Sequence, residues 1–190
     1  MVGNDSQRAP DDERIGFFKL DMTLEQDGYL GAMLVTDRLG KPVEFRVTYP
    51  IKPSLVQRTI YGASLLPHIG IELCGKPLYE TLINKPVLLL VEEDRFLPLS
   101  EKIDGFMARV KRSRQIAQST QEDIAETLLA HPTSRFEPVI IRWPSHYSMP
   151  IRQHALKALE SFFTNNDLIE PFERIHLAVK VLAQEDTRFR

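Results

Sequence analysis

Three stretches of strand-forming residues, separated only by tight turns, do most to limit what this chain can fold into. Over residues 18–25, Phe18, Leu20, Met22 and Leu24 alternate with Lys19, Asp21, Thr23 and Glu25. That period of two marks a strand with one buried face. Asp27-Gly28 supplies the following turn, and residues 29–36 read as a second, more apolar strand. After the turn Asp37-Arg38-Leu39-Gly40, the residues Val43, Phe45, Val47 and Tyr49 alternate with Glu44, Arg46 and Thr48. Turns this short leave no length for a crossover, so residues 15–49 predict an antiparallel meander.

Pro50 and Pro53 end the third strand, because proline cannot donate to a central ladder. Ser54 is placed to cap a helix from Leu55 to about Ser64, and Pro67 suits the first turn of a second helix that breaks near Gly75-Lys76-Pro77. The scattered small residues of 50–77 let short helices pack closely on a sheet. A minor alternative is a partner groove exposing Gln57, Arg58 and Tyr61. Residues 87–91 read as a strand buried on both faces, and residues 95–99 as a strand edge. Further strands are expected at 106–111 and 138–143. Ser119 and Glu122 have capping-box spacing for a helix from about Thr120 to Ala130. A helix over 151–163 precedes a long final one, where Leu168, Phe172, Ile175, Val179 and Leu182 recur on one face. The predicted fold class is α+β: the meander extended to a mixed sheet of about five or six strands, helices on one face, and a C-terminal helical hairpin. Residues 1–14 are expected as a flexible leader, 15–145 as the core domain, and 146–190 as the hairpin packed on it.

Composition narrows the function classes. The chain has 190 residues and a formal net charge of −2, so no global field draws it to nucleic acid or anionic membrane. No apolar run approaches the ~20 residues of a membrane span, and the polar start is no secretory signal. The single cysteine, Cys74, cannot form an internal disulfide and reads as a small buried hydrophobe, which fits a cytoplasmic protein. There is no phosphate loop, no nucleophile elbow and no paired-histidine metal motif. His154 and His176 border the apolar faces of the last two helices and read as packed. No catalytic residue, cofactor or metal ligand is assigned on this basis.

Three candidate features remain. Residues 102–114 carry Lys102, Arg109, Lys111, Arg112 and Arg114 against the single acid Asp104, a local basic segment suited to nucleic-acid phosphates. Next, Arg142, Trp143, His146 and Tyr147 gather where a strand enters a loop, as in stacking sites, although Trp143 also suits the core. Third, Glu92-Glu93-Asp94 end a buried strand, where carboxylates serve Mg²⁺-dependent phosphodiester chemistry, with Asp21 or Glu44 joining from the outward faces of their strands. The leading expectation is a non-enzymatic component of a larger assembly, meeting another protein chain or its own copy through the C-terminal helices. The alternatives are a nucleic-acid-binding accessory protein and an Mg²⁺-dependent phosphodiesterase or nuclease.

Overall fold

The alternating runs pair as β1 (Ile15–Met22), β2 (Tyr29–Thr36) and β3 (Pro42–Val47) in a computed structural model that describes residues 14–115 and 126–189. β1 and β2 pair antiparallel from Ile15↔Thr36 to Met22↔Tyr29, and β3 continues the meander beyond β2. The second turn closes because Asp37 Oδ1 accepts from the amides of Leu39 and Lys41, while Gly40 takes a φ of +75° that a side chain would strain.

On the other side of β1 the sheet becomes parallel. β4 (Leu88–Val91) runs parallel to β1, and β5 (Phe106–Arg112) parallel to β4. Antiparallel pairing then adds β6 (Glu126–Leu129) and β7 (Val139–Arg142). The sheet is therefore mixed and seven-stranded, in the order β3-β2-β1-β4-β5-β7-β6. The extra strand is β6, at residues expected to end a helix. Pairing with β7 places Leu129 opposite Val139 in the core, and this tertiary gain overrides the local helical pattern. The proposed cap at Ser119 and Glu122 lies outside the described residues, as does nearly all of the expected leader.

Helices cover both faces, not one. Phe18, Met33, Leu89 and Met107 pack beneath α2 (Leu65–His68), a π-helical turn (Ile69–Gly75) and α3 (Lys76–Thr81), forming one apolar cluster, while α1 (Leu55–Tyr61) precedes them and buries no residue. Ile15, Phe17, Leu88, Leu90, Ala108 and Ile141 face the other way, against α4 (Met149–Phe163) and α5 (Glu170–Glu185). Successive residues of a strand point to opposite faces, so a central strand covered on both sides buries apolar residues of either parity, as β4 does with all four of its residues. Phe17 meets Phe172 edge-on at 5.4 Å and Phe162 at 5.9 Å, joining β1 to both C-terminal helices.

Ser54 does cap α1: its hydroxyl accepts from the Gln57 amide at 3.2 Å, and Gln57 Oε1 accepts from the Ser54 amide at 2.8 Å. The expected break at residues 75–77 does not occur, because Pro77 falls in the first turn of α3, where its missing N–H costs little. Close approach explains Gly70, where an added Cβ would lie 2.2 Å from the Phe96 ring. Residues 95–99 are not a strand edge but part of a 3-10 helix, Asp94–Glu101, whose Phe96 and Leu99 seal the lower core.

Glu44 has a structural task. Its side chain is 9% exposed and accepts from the amides of Ile83 and Asn84, at 3.1 and 2.8 Å, tying β3 to the turn after α3. Burial would raise its carboxyl, but those amides, Arg46 and the Asn84 side chain hold it at about 2, below the ordinary 4.5. A depressed folded value stabilises above the unfolded one, so this contribution is complete above pH 4.5 and is lost as pH falls toward 2. Allowing for solvent screening, it amounts to on the order of 2 kcal/mol. Comparing acid unfolding of the wild type with Glu44→Gln should show a stability gap that closes over that window. A gap independent of pH would refute the assignment.

Candidate functional site

Where β1 and β4 reach their C-terminal ends, the face toward α5 stops being apolar. Ile15 and Phe17 of β1 face α5 from the core. The next residues on that face are Lys19 and Asp21, and the next after Leu90 is Glu92. The extra space they leave is a cleft of about 490 Å³, closed opposite by Ile169, Phe172, Glu173, His176 and Leu177. Asp21 thus lies on a covered face, not on the outward one expected, because β1 is central and has helices on both sides.

One ion pair and one histidine–carboxylate hydrogen bond organise the cleft. Lys19 Nζ donates to Glu92 Oε2 at 2.5 Å, across neighbouring strands whose register runs Phe17↔Leu90. Asp21 Oδ2, on a side chain 12% exposed, accepts from His176 Nδ1 at 3.0 Å. With its Nδ1–H donated to a carboxylate, the imidazole presents Nε2 as an acceptor. Beyond this pair lies a second hollow of about 210 Å³, lined by Met22, Leu24, Leu30, Val179 and Lys180, among others. Asp21 and His176 form the wall between the two. Glu173 and His176 lie three apart on α5 and so share an edge of that helix.

The residues singled out in the sequence are mostly placed elsewhere. Trp143 is 2% exposed and its Nε1 donates to Thr127 Oγ1; Tyr147 is 7% exposed and its hydroxyl accepts from the Met107 amide. Neither ring offers a stacking platform; of Arg142, Trp143, His146 and Tyr147, His146 alone is exposed. The basic segment is dispersed rather than presented as a patch. Arg109 is 3% exposed and bonded to Asp94 and Glu126, carboxylates that Arg142 also meets. Arg112 pairs with Asp167, Arg114 with Glu137 and Lys102 with Glu72. Lys111 has no ion-pair partner among the described residues.

The acidic triplet separates in the same way. Glu93 pairs with Arg95 and Asp94 with the arginines, leaving only Glu92 in the cleft. Cys74 is fully buried, and burial pushes its thiol up to about 11, so it stays protonated and unreactive. The hollow beside α1 and α2 is small, about 120 Å³; Gln57 and Tyr61 line it, while Arg58 turns to the carbonyls of Pro53 and Asp27. Sequence reasoning missed the grouping of Lys19, Glu173 and His176. The available signal was the placement of Glu173 and His176 beside the apolar seam of a helix.

A divalent cation asks for several convergent oxygen ligands. Among the described residues no group of three or more His, Cys, Asp or Glu side chains is placed to hold one, and an ammonium already occupies Glu92. The cleft as built does not fit a resident metal.

No family model matches the chain, and no curated protein matches it in sequence. Solved structures do resemble it. An endonuclease V from Streptomyces avermitilis shares 15% identity over 98% of this chain and 88% of that one, with a TM-score of 0.52. The catalytic domain of human endonuclease V shares 12% over 94% and 85%, at 0.51. Ciona intestinalis endonuclease V, in complex with a 24mer DNA containing an inosine followed by a ribo-adenosine, shares 14% over 77% of each chain, at 0.50. At such identities the likeness is one of fold.

The expectation of a non-enzymatic assembly component is corrected on this finding, because the solved structures that share the fold are endonuclease V structures. The structure removes that expectation's motive as well. The seam of α5, with Phe172, Ile175 and Val179, is buried on the chain's own sheet and unavailable to a second chain. Among the described residues no helix is long and apolar enough to cross a membrane.

Proposed function

We propose that this protein is a nucleic-acid phosphodiesterase acting in the cleft between the ends of β1 and β4 and helix α5. One observation carries the reading: an Asp21–His176 pair beside a Lys19–Glu92 pair, where the sheet face changes from apolar to charged. The fold of the endonuclease V structures, one of them bound to DNA, supports it.

The chemistry follows from the donor set. Asp21 fixes the imidazole tautomer and stabilises the imidazolium. His176 Nε2 takes a proton from water as the water oxygen bonds to phosphorus. The bond from phosphorus to one sugar oxygen breaks, and that oxygen takes a proton from solvent, leaving a phosphomonoester and a hydroxyl. Lys19 Nζ offers positive charge to the non-bridging oxygens, where charge accumulates in the transition state. Arg112, Arg114 and Lys111 are then auxiliary contacts at most, since two of the three are already paired.

The test is incubation of the purified protein with end-labelled single- and double-stranded DNA, RNA and inosine-containing DNA, with and without divalent cations. Cleavage products ending in a phosphomonoester are expected with at least one substrate. Absence of cleavage on all of them, with or without cations, would end the proposal.

A further inference from the structure

Three carboxylates, Asp21, Glu92 and Glu173, line one cleft, and acids that share a cleft favour a counter-charge there. Asp21 is met by His176, and Glu92 by the ammonium of Lys19 on the adjacent strand. Lys19 is held there by more than its ion pair. It stands on the same face as Phe17, in the strand that pairs with β2 on one edge and β4 on the other, so its stem cannot leave the cleft without disturbing the centre of the sheet. Its side chain is 24% exposed and that of Glu92 33%, so the pair is screened by the protein on most sides. The other titratable groups lining the cleft with it are Asp21, Glu173 and His176.

We propose that Lys19 Nζ is the resident cation of this cleft, meeting Glu92 in place of a divalent ion, so that the site carries its positive charge covalently. The inference rests on reading the cleft as a phosphodiester site and adds that phosphate engagement there needs no divalent metal. Lys19 is then a specificity-determining residue for the cation requirement.

The measurement is titration of the full chain with Mn²⁺, followed by electron paramagnetic resonance of the free ion, without nucleic acid. The wild type is expected to show no saturable site, and Lys19→Arg, which keeps the charge, none either. Lys19→Met keeps the stem but removes the ammonium, and should gain a saturable site at least about tenfold tighter than any binding by the wild type. Adding Glu92→Gln to Lys19→Met should abolish it. Saturable Mn²⁺ binding by the wild type would overturn the inference whatever the variants do. So would a correctly melting Lys19→Met that gains nothing. If Lys19→Met does not fold, the wild-type and Lys19→Arg titrations decide. The nuclease reading fails on a different result, the absence of cleavage, so the two failures cannot be confused.

Discussion

A His176→Ala protein is expected to lose about 10²- to 10⁴-fold in the rate of phosphodiester cleavage while its KM for oligonucleotide stays within a few-fold of wild type. The imidazole sits at the mouth of the cleft, its Nδ1 committed to Asp21 at 3.0 Å, so Nε2 is the acceptor facing the space a substrate would enter. A group that acts only as the proton is moved contributes to the transition state rather than to binding, hence the expected split between kcat and KM. Truncation to alanine also leaves a hole the size of the lost ring. Free imidazole in the buffer should restore part of the rate, which a purely structural histidine would not permit. Asp21→Asn should cost less, roughly 10- to 10³-fold, because the base remains while its tautomer is no longer enforced. Wild-type turnover in His176→Ala would remove this residue from the mechanism.

The second large effect concerns stability. Arg109→Ala is expected to destabilise the fold by about 3–5 kcal/mol, lowering Tm by roughly 10 °C in a chain of this length. The Arg109 guanidinium is 3% exposed; its Nε donates to Asp94 at 3.0 Å and its Nη2 to Glu126 at 2.7 Å. Arg142 meets the same carboxylates at 3.4 and 3.0 Å, giving two cations and two anions. This network joins the 3-10 helix after β4 to β5, β7 and the four-residue edge strand β6. Removing Arg109 leaves two acids sharing one partly exposed arginine, and β6 loses the charge that anchors its first residue. Arg109→Lys should recover only part of the loss, because a single ammonium cannot serve both carboxylates in the fork geometry. Thermal and denaturant unfolding read the effect. A change in Tm of less than about 2 °C would show that the network adds little.

These two sites differ in how far they could be read in advance. Arg109 was visible as a basic residue, but a strand pattern says which face a side chain takes, not what covers that face. A charge in a basic segment therefore looked like a solvent-facing contact, although it lies between two acids, one 15 residues before it and the other 17 after. His176 was visible only as a residue bordering an apolar seam, since its partner Asp21 is 155 residues away. Trp143 and Tyr147 carried the same ambiguity, and burial resolved it in favour of the core.

By itself, the sequence determined the elements whose cause is local. The alternating runs and short turns of residues 15–49 specify a meander, because the two-residue period and tight turns leave no other pairing partner so close. Ser54 and Gln57 specify the start of α1, because capping is satisfied within four residues. The spacing of Phe172, Ile175 and Val179 specifies one face of α5. Only the tertiary structure decided that both sheet faces are covered, that residues 126–129 pair as a strand, and that Lys19, Asp21 and Glu92 confront α5 across a cleft. Each of those outcomes depends on contacts between segments far apart in the chain. Their free energy comes from burial and charge pairing, to which a local pattern of residues carries no index.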